Sequence, residues 1–157
     1  MVAGIDHRGP DAHNTRDLAS PMGRRGVIGA VRLRIIDLAP EADQPLSDER
    51  DEIWTAFNGE LYNFKELRAE LSALGYRFRT ASDTECLVHL YRHCDGDMAR
   101  MLGRLRGMFA FAIWDTARGR LCLARDRLGI KPLHWVATAN GVAFCSEQRP
   151  LARGGFA

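Results

Sequence analysis

Residues 53–60 read Ile-Trp-Thr-Ala-Phe-Asn-Gly-Glu, an apolar run that stops at an amide, a glycine and a carboxylate. In a strand, Ile53, Thr55 and Phe57 point one way and Trp54 and Ala56 the other. Both faces are largely apolar, so the pattern predicts a strand covered on both sides. A single sheet with one wet face would show cleaner alternation. The strand also delivers three polar tools to its rim. Asn58 brings side-chain N–H donors, Gly59 lets backbone come close to a ligand, and Glu60 brings a negative charge. Two adjacent donors suit a developing oxyanion. The same Asn-Gly pair is also a strong hairpin-turn signal, and the tripeptide alone favours a turn.

The rest of the chain alternates between the two periodicities. Residues 27–33 predict a strand, with 34–38 as a continuation and 40–50 as a loop. Three helices follow. Asn63 with Glu66 reads as a capping box ahead of a stripe of Phe64, Leu67, Leu71 and Leu74, stopped by Gly75. Ser82 with Glu85 reads as a second box ahead of Leu87, Leu90, Tyr91 and Cys94. Asp97 caps a third helix bearing Met98, Met101, Leu102 and Leu105. Residues 109–114 are apolar on both faces. Residues 120–125 alternate, burying Leu121 and Leu123 or Cys122 and Ala124. Two further strands, 133–137 and 142–145, meet at Asn140-Gly141. Residues 1–26 carry Gly, Pro, Arg and Asp in no period and read as partly irregular. Doubly covered strands with helices grouped between them predict two stacked sheets covered by helices.

Length and composition set limits on function. The 157 residues, 46% apolar and 27% charged, predict one globular domain over 1–157. A formal net charge of +2 makes no electrostatic case for nucleic acid or a membrane surface as partner. No apolar run reaches the ~20 residues of a membrane span, and the polar N-terminus has no signal-peptide core, so a cytoplasmic location is expected. Cys86, Cys94, Cys122 and Cys145 lack metal or redox spacing and are expected to be buried thiols. His89 and His93 share the spacing of a metal pair, but an exposed helix face is the reading adopted, and no metal site is expected.

Several motifs occur in order along the chain. They are His7-Arg8-Gly9-Pro10-Asp11; Arg32-Leu33 leading to Ile35-Ile36-Asp37; Phe57-Asn58-Gly59-Glu60-Leu61-Tyr62-Asn63; and Arg125-Asp126-Arg127-Leu128-Gly129-Ile130-Lys131-Pro132-Leu133. Gln44-Pro45, Ser82-Asp83-Thr84-Glu85 and residues 106–111 fall between them. Together they resemble the glutaminase domain of glutamine-hydrolysing asparagine synthetases, a class II glutamine amidotransferase of the N-terminal-nucleophile superfamily. The resemblance implies an α+β fold, an αββα four-layer sandwich of two mainly antiparallel sheets. It implies L-glutamine as substrate and a synthetase domain or subunit as partner. By resemblance, Asn58 and the Gly59 backbone N–H hold the oxyanion. Arg32 pairs with the glutamine α-carboxylate, Glu60 and Asp83 hold the α-ammonium, and Ile35 offers backbone contacts. Taken singly, Arg32 also reads as a solvated strand end and Asp83 as a helix-start charge. His7 reads as a packed or hydrogen-bonded histidine, and Arg8 and Asp11 as braces.

The chain departs from the family pattern in places. The family uses an N-terminal cysteine whose thiolate attacks glutamine, with its own α-amine as base. Only six residues precede His7 here, and Met1 is followed by Val2. The sequence reading therefore expects a chain inactive by itself, either a glutamine- or partner-binding module or a fragment with a misassigned start. No ATP or magnesium is expected to bind, since both belong to the synthetase part. Ala30 stands where the family often has histidine, Arg34 where it has a small polar residue, and Asn14 where it has glycine, as a residue tolerant of the left-handed conformation.

Overall fold

The computed structural model describes residues 1–156. Its centre is a four-stranded antiparallel sheet in the order β3 (Leu46–Ser47), β4 (Ile53–Leu61), β5 (Gly107–Asp115), β6 (Arg120–Arg125). The long pair β4–β5 sets Trp54 opposite Trp114 and Phe57 opposite Phe111. Alternation then sorts the side chains. Ile53, Phe109, Phe111, Ile113, Cys122 and Ala124 join one core. Ala112 and Trp114 join another, against Trp54, Ala56, Leu121 and Leu123. The two options for residues 120–125 are thus both realised, one on each face.

The first core is closed by α1 (Phe64–Ala73), α2 (Thr84–His93) and α3 (Met98–Arg104). Helix α2 is the deepest, with every residue from Thr84 to Tyr91 buried. The second core is closed by the hairpin β1 (Ala12–Ala19)–β2 (Arg25–Arg32), through Leu18 and Ile28. A second hairpin, β7 (His134–Thr138)–β8 (Gly141–Cys145), adds Phe144 to that core. Its own outer core of Ala143 and Cys145 is covered by Leu151 of α4 (Gln148–Arg153) and by Ile5. The order is helices, sheet, strands, helix, an α+β layered architecture. The second β layer consists of two hairpins that share no hydrogen-bonded ladder. Among the described residues, no helix is long and apolar enough to cross a membrane.

Several local expectations are corrected. Residues 1–26 hold a 3-10 helix at Val2–Arg8 and the strand β1. Residues 34–38 are a loop, and β3 lies inside the expected loop 40–50. Asn14 lies within β1, opposite Ala30, and not in a left-handed turn. Asn63 begins α1 without capping it. Its side chain donates to the Arg104 carbonyl and accepts the Arg106 N–H, joining the start of α1 to the end of α3. The residue before α2 is Asp83, and Glu85 turns back to the Arg79 and Thr80 N–H groups. Asp97 caps α3 through the Ala99 and Arg100 N–H groups, as expected. His89 is buried against Tyr76 and Phe78, with Glu85 3.5 Å away, and not on an exposed face. Helix α4 was not anticipated. All four cysteines are buried free thiols.

Candidate functional site

Strand β4 carries the site because its second half runs past β3 on one edge while staying paired with β5 through Leu61 on the other. Strand β3 pairs only with Thr55 and Trp54, so the β4 backbone beyond them needs other partners. Gln44 supplies one. Its buried side-chain oxygen accepts the Phe57 N–H at 2.6 Å, its nitrogen lies 3.4 Å from the Thr84 hydroxyl, and its carbonyl accepts from Asn14. Two residues on, Gly59 has φ +156 and lies so close to β5 that a Cβ there would sit 2.1 Å from the Met108 carbonyl oxygen. No other residue fits without moving the strands.

Above this rim is a cavity of about 1070 Å³ between the two hairpins, over the small side chains of Ala56, Ala110 and Ala112. Arg32, Ile35, Asn58, Gly59, Glu60 and Asp83 all line it. The structure thus brings every residue singled out from the sequence to one hollow. Of the buried side-chain polar atoms without a partner among the described residues, Asn58 Nδ2 alone belongs to a lining residue. An unpaired buried donor costs ~1–3 kcal/mol, so its retention calls for a reason.

The charges around the cavity are held differently from one another. The Arg32 guanidinium is buried, with Nη1 donating to Asp43 Oδ1 at 2.7 Å and to the Ala39 carbonyl at 3.3 Å. Its Nη2 donates to the Asp37 carbonyl at 2.5 Å, and its Nε–H has no partner among the described residues. Arg34 grips the same Asp43 with two bonds, at 3.0 and 2.6 Å. The bonds from Arg34 hold the Asp43 carboxyl below its ordinary value; burial opposes them, and Arg32 adds to the lowering. Arg34 is therefore a second anchor for the Arg32 loop. Asp83 is buried and accepts the Leu61 N–H at 2.9 Å, which ties the start of α2 to the end of β4. Burial raises its carboxyl above the ordinary value against its backbone N–H bonds, and neighbouring Glu60 adds to the rise. Glu60 itself is exposed at the rim. Ile35 is 75% exposed, so it can offer backbone but little packing.

The other motifs are braces. Gly9 lies against the Arg32 backbone, where a Cβ would come 2.5 Å from its carbonyl carbon. Asp11 donates its N–H to the Arg32 carbonyl and accepts the Arg34 N–H. His7 and Arg8 both reach Glu147. Asp126 accepts N–H bonds from Phe109, Leu128, Ile130 and Lys131, which orders the turn after β6. Sequence reasoning missed Asp43 as the partner of Arg32, and Gln44 as the partner of β4. Gln44-Pro45 was visible as a motif; Asp43 left no signal.

The chain can be compared with known proteins on this footing. A family model described as glutamine amidotransferase domain matches residues 1–156. Asparagine synthetase [glutamine-hydrolyzing] 1 of Bacillus subtilis is 46% identical over 148 residues, covering 94% of this chain and 22% of that protein. Amidase chry2 of Gibberella zeae is 40% identical over 143 residues, covering 91% of this chain and 20% of that protein. The chain thus spans about a fifth of the length of these relatives. Among solved structures, a glutamine phosphoribosylpyrophosphate amidotransferase from B. subtilis superposes with a TM-score of 0.79 at 23% identity. The match covers 98% of this chain and 39% of that one, and at this identity it speaks to the fold. A matched family model over nearly the whole length, with relatives of this identity, means that the chain belongs to the glutamine amidotransferase domain family.

Proposed function

We propose that these residues, acting as one domain, bind L-glutamine by its zwitterionic end and stabilise the oxyanion formed on its carboxamide, as the glutaminase part of an asparagine-forming amidotransferase. The observation that carries this reading is the unpaired Asn58 donor at the end of β4, in one cavity with Arg32, Glu60 and Asp83. One cation and two anions fix the direction of an amino acid. The Arg32 fork suits a carboxylate, and Glu60 and Asp83 suit an ammonium. The carboxamide then lies toward Asn58 and Gly59. Attack by a thiolate on its carbon makes a tetrahedral oxyanion that these donors stabilise. Collapse, with the proton taken from the thiol passed on to the departing nitrogen, releases ammonia and leaves a thioester, which water cleaves to glutamate and the free thiol. The ammonia passes to a synthetase partner, where aspartate is the acceptor proposed by likeness to the Bacillus relative. ATP and magnesium belong to that later step and have no role in this pocket.

A second reading applies to the 157-residue polypeptide by itself: binding without cleavage. What favours it is that the four cysteines of these residues are buried, and burial pushes the Cys86, Cys94 and Cys122 thiols up, away from the thiolate form. Calorimetric titration with L-glutamine is expected to show saturable binding at millimolar concentration or below. No response in that range would sink the site. An ammonia-release assay on the same sample is expected to match the blank; glutamine-dependent release would refute the second reading and leave the first intact.

A further inference from the structure

The loop between β2 and β3 carries Arg32 at its start and Ile35 on its rim, yet little apolar burial holds it. Leu33, Ile35, Ile36 and Leu38 are all exposed, at 53%, 75%, 40% and 69%. Hydrogen bonds must therefore set its position, and besides those on Asp43 they converge on Asp37. Its Oδ1 accepts the Ala39 N–H at 2.9 Å, closing a local turn. Its Oδ2 accepts the Ala81 N–H at 2.6 Å, across 44 residues of sequence. Its carbonyl and that of Ala39 are the two main-chain acceptors of the Arg32 guanidinium. Ala81 is two residues before Asp83. That loop is fixed from its other side, by Glu85 on the Thr80 N–H and by Arg68 on the Ser82 carbonyl. Among the described residues, the Asp37–Ala81 bond is the one hydrogen bond joining residues 33–43 to residues 74–83.

We propose that Asp37 is a positioning residue of the glutamine site, a clasp that sets the distance between the cation at Arg32 and the anion at Asp83. The proposal rests on the glutamine reading above. An α-carboxylate and an α-ammonium leave the same carbon, so their receptors must be held at one fixed separation. A clasp between the two loops supplies that preorganisation at no cost during binding. The Ala39 N–H keeps the Asp37 carboxyl below its ordinary value; burial opposes this, and the Ala81 N–H and Arg32 add to the lowering. The clasp is therefore charged at neutral pH.

The test compares Asp37→Ala with Asp37→Ser. A serine hydroxyl can still accept the N–H two residues on, but it is too short to bridge to Ala81. Affinity is measured by calorimetry for L-glutamine and for 4-aminobutanamide, which lacks the α-carboxylate; thermal unfolding reports whether each variant folds. Both variants are expected to bind L-glutamine about tenfold more weakly while 4-aminobutanamide binding stays unchanged, so that discrimination between the two ligands collapses. L-Glutamine affinity in Asp37→Ser equal to the parent overturns the clasp, because it leaves Asp37 a local turn residue only. An equal loss for both ligands also overturns it, because it shows general loosening. A parent that binds no L-glutamine overturns the site reading and the clasp with it, whereas a parent that binds beside unaffected variants overturns the clasp alone.

Discussion

Asn58 and Gln44 are both amides beside the rim of β4, and they are spent in opposite ways. Gln44 answers the Phe57 N–H and reaches Thr84, so its removal leaves a backbone donor unpaired. Asn58 leaves its own nitrogen unanswered. Truncation should therefore separate them. Gln44→Ala is expected to lower the unfolding free energy by ~1–3 kcal/mol, and Asn58→Ala to leave it within about 1 kcal/mol of the parent, since the lost packing is offset by losing an unpaired donor. Urea denaturation of the two variants measures the contrast; equal losses would mean that the Asn58 amide is a structural bond and not a donor held for a ligand. At this scale the candidate site was legible. Asn58, Gly59 and Glu60 could be named because the doubly apolar run gives way to polar residues there, although the strand itself continues through Leu61, paired with β5. Their supports were not legible. Asp43 meets Arg32 across 11 residues of irregular loop, where no period marks which carboxylate faces which guanidinium.

The elements that grouped apolar residues in a period were found, and those that spent polar residues on long-range bonds were not. Strand β4 announced itself by alternation. Strand β1 buries only Leu18 among its eight residues, so it has no period to read. Asn63 has the residue type of a helix cap, but its side chain serves α3. His89 and His93 suggested an exposed face, but Tyr76 and Phe78 come from the loop before α2 and cover His89. Glu85 shows what such a polar residue does for an element. Burial opposes its ionisation, yet His89 at 3.5 Å and bonds from the Arg79 N–H and from Thr80 hold it down at about 2, against an ordinary 4.5. Asp126 behaves likewise. Burial opposes its charge, and the N–H groups of Lys131, Ile130, Phe109 and Leu128 hold it at about 2, against 3.8. The sign follows from linkage. Both values are depressed in the folded state, so their stabilisation is whole above pH 4.5 and drains as pH falls toward about 2. Glu85→Gln is expected to lower stability at pH 7 by roughly 1.5–3 kcal/mol and to shallow the fall below pH 4.5. A variant whose melting temperature tracks the parent's at every pH would show that Glu85 does not hold the loop before α2.

At the scale of the whole molecule, the cavity is a product of layering. The central sheet presents alanines where the second layer divides into two hairpins, and Arg32, Glu60 and Asp83 come from β2, β4 and the start of α2. A ligand held by all three joins elements from different layers, so it should stabilise the fold as a unit. Glutamine in hundredfold excess over its dissociation constant adds ~2.7 kcal/mol to the folded state. Asp83 makes that gain fall on acidification, as the Glu85 contribution does, whereas the effect of Asp83 on the unliganded fold runs the opposite way. Its carboxyl is raised by burial, so in the folded state it takes up a proton at a pH above 3.8, where Glu85 and Asp126 are still charged. Without ligand, ionised Asp83 therefore costs stability at neutral pH, and that cost fades as pH falls through its raised value. With glutamine, the α-ammonium needs the ionised form. The glutamine-induced rise in melting temperature is thus expected to be full at neutral pH and to shrink as pH falls through the raised value of Asp83. Thermal unfolding with and without L-glutamine, stepped from pH 7 down as far as the fold persists, reads both curves at once. In Asp83→Asn the shift should be small at every pH and nearly flat. A parent shift that stays constant across that range would mean that Asp83 does not hold the ammonium, and that the anion of this site is Glu60 alone.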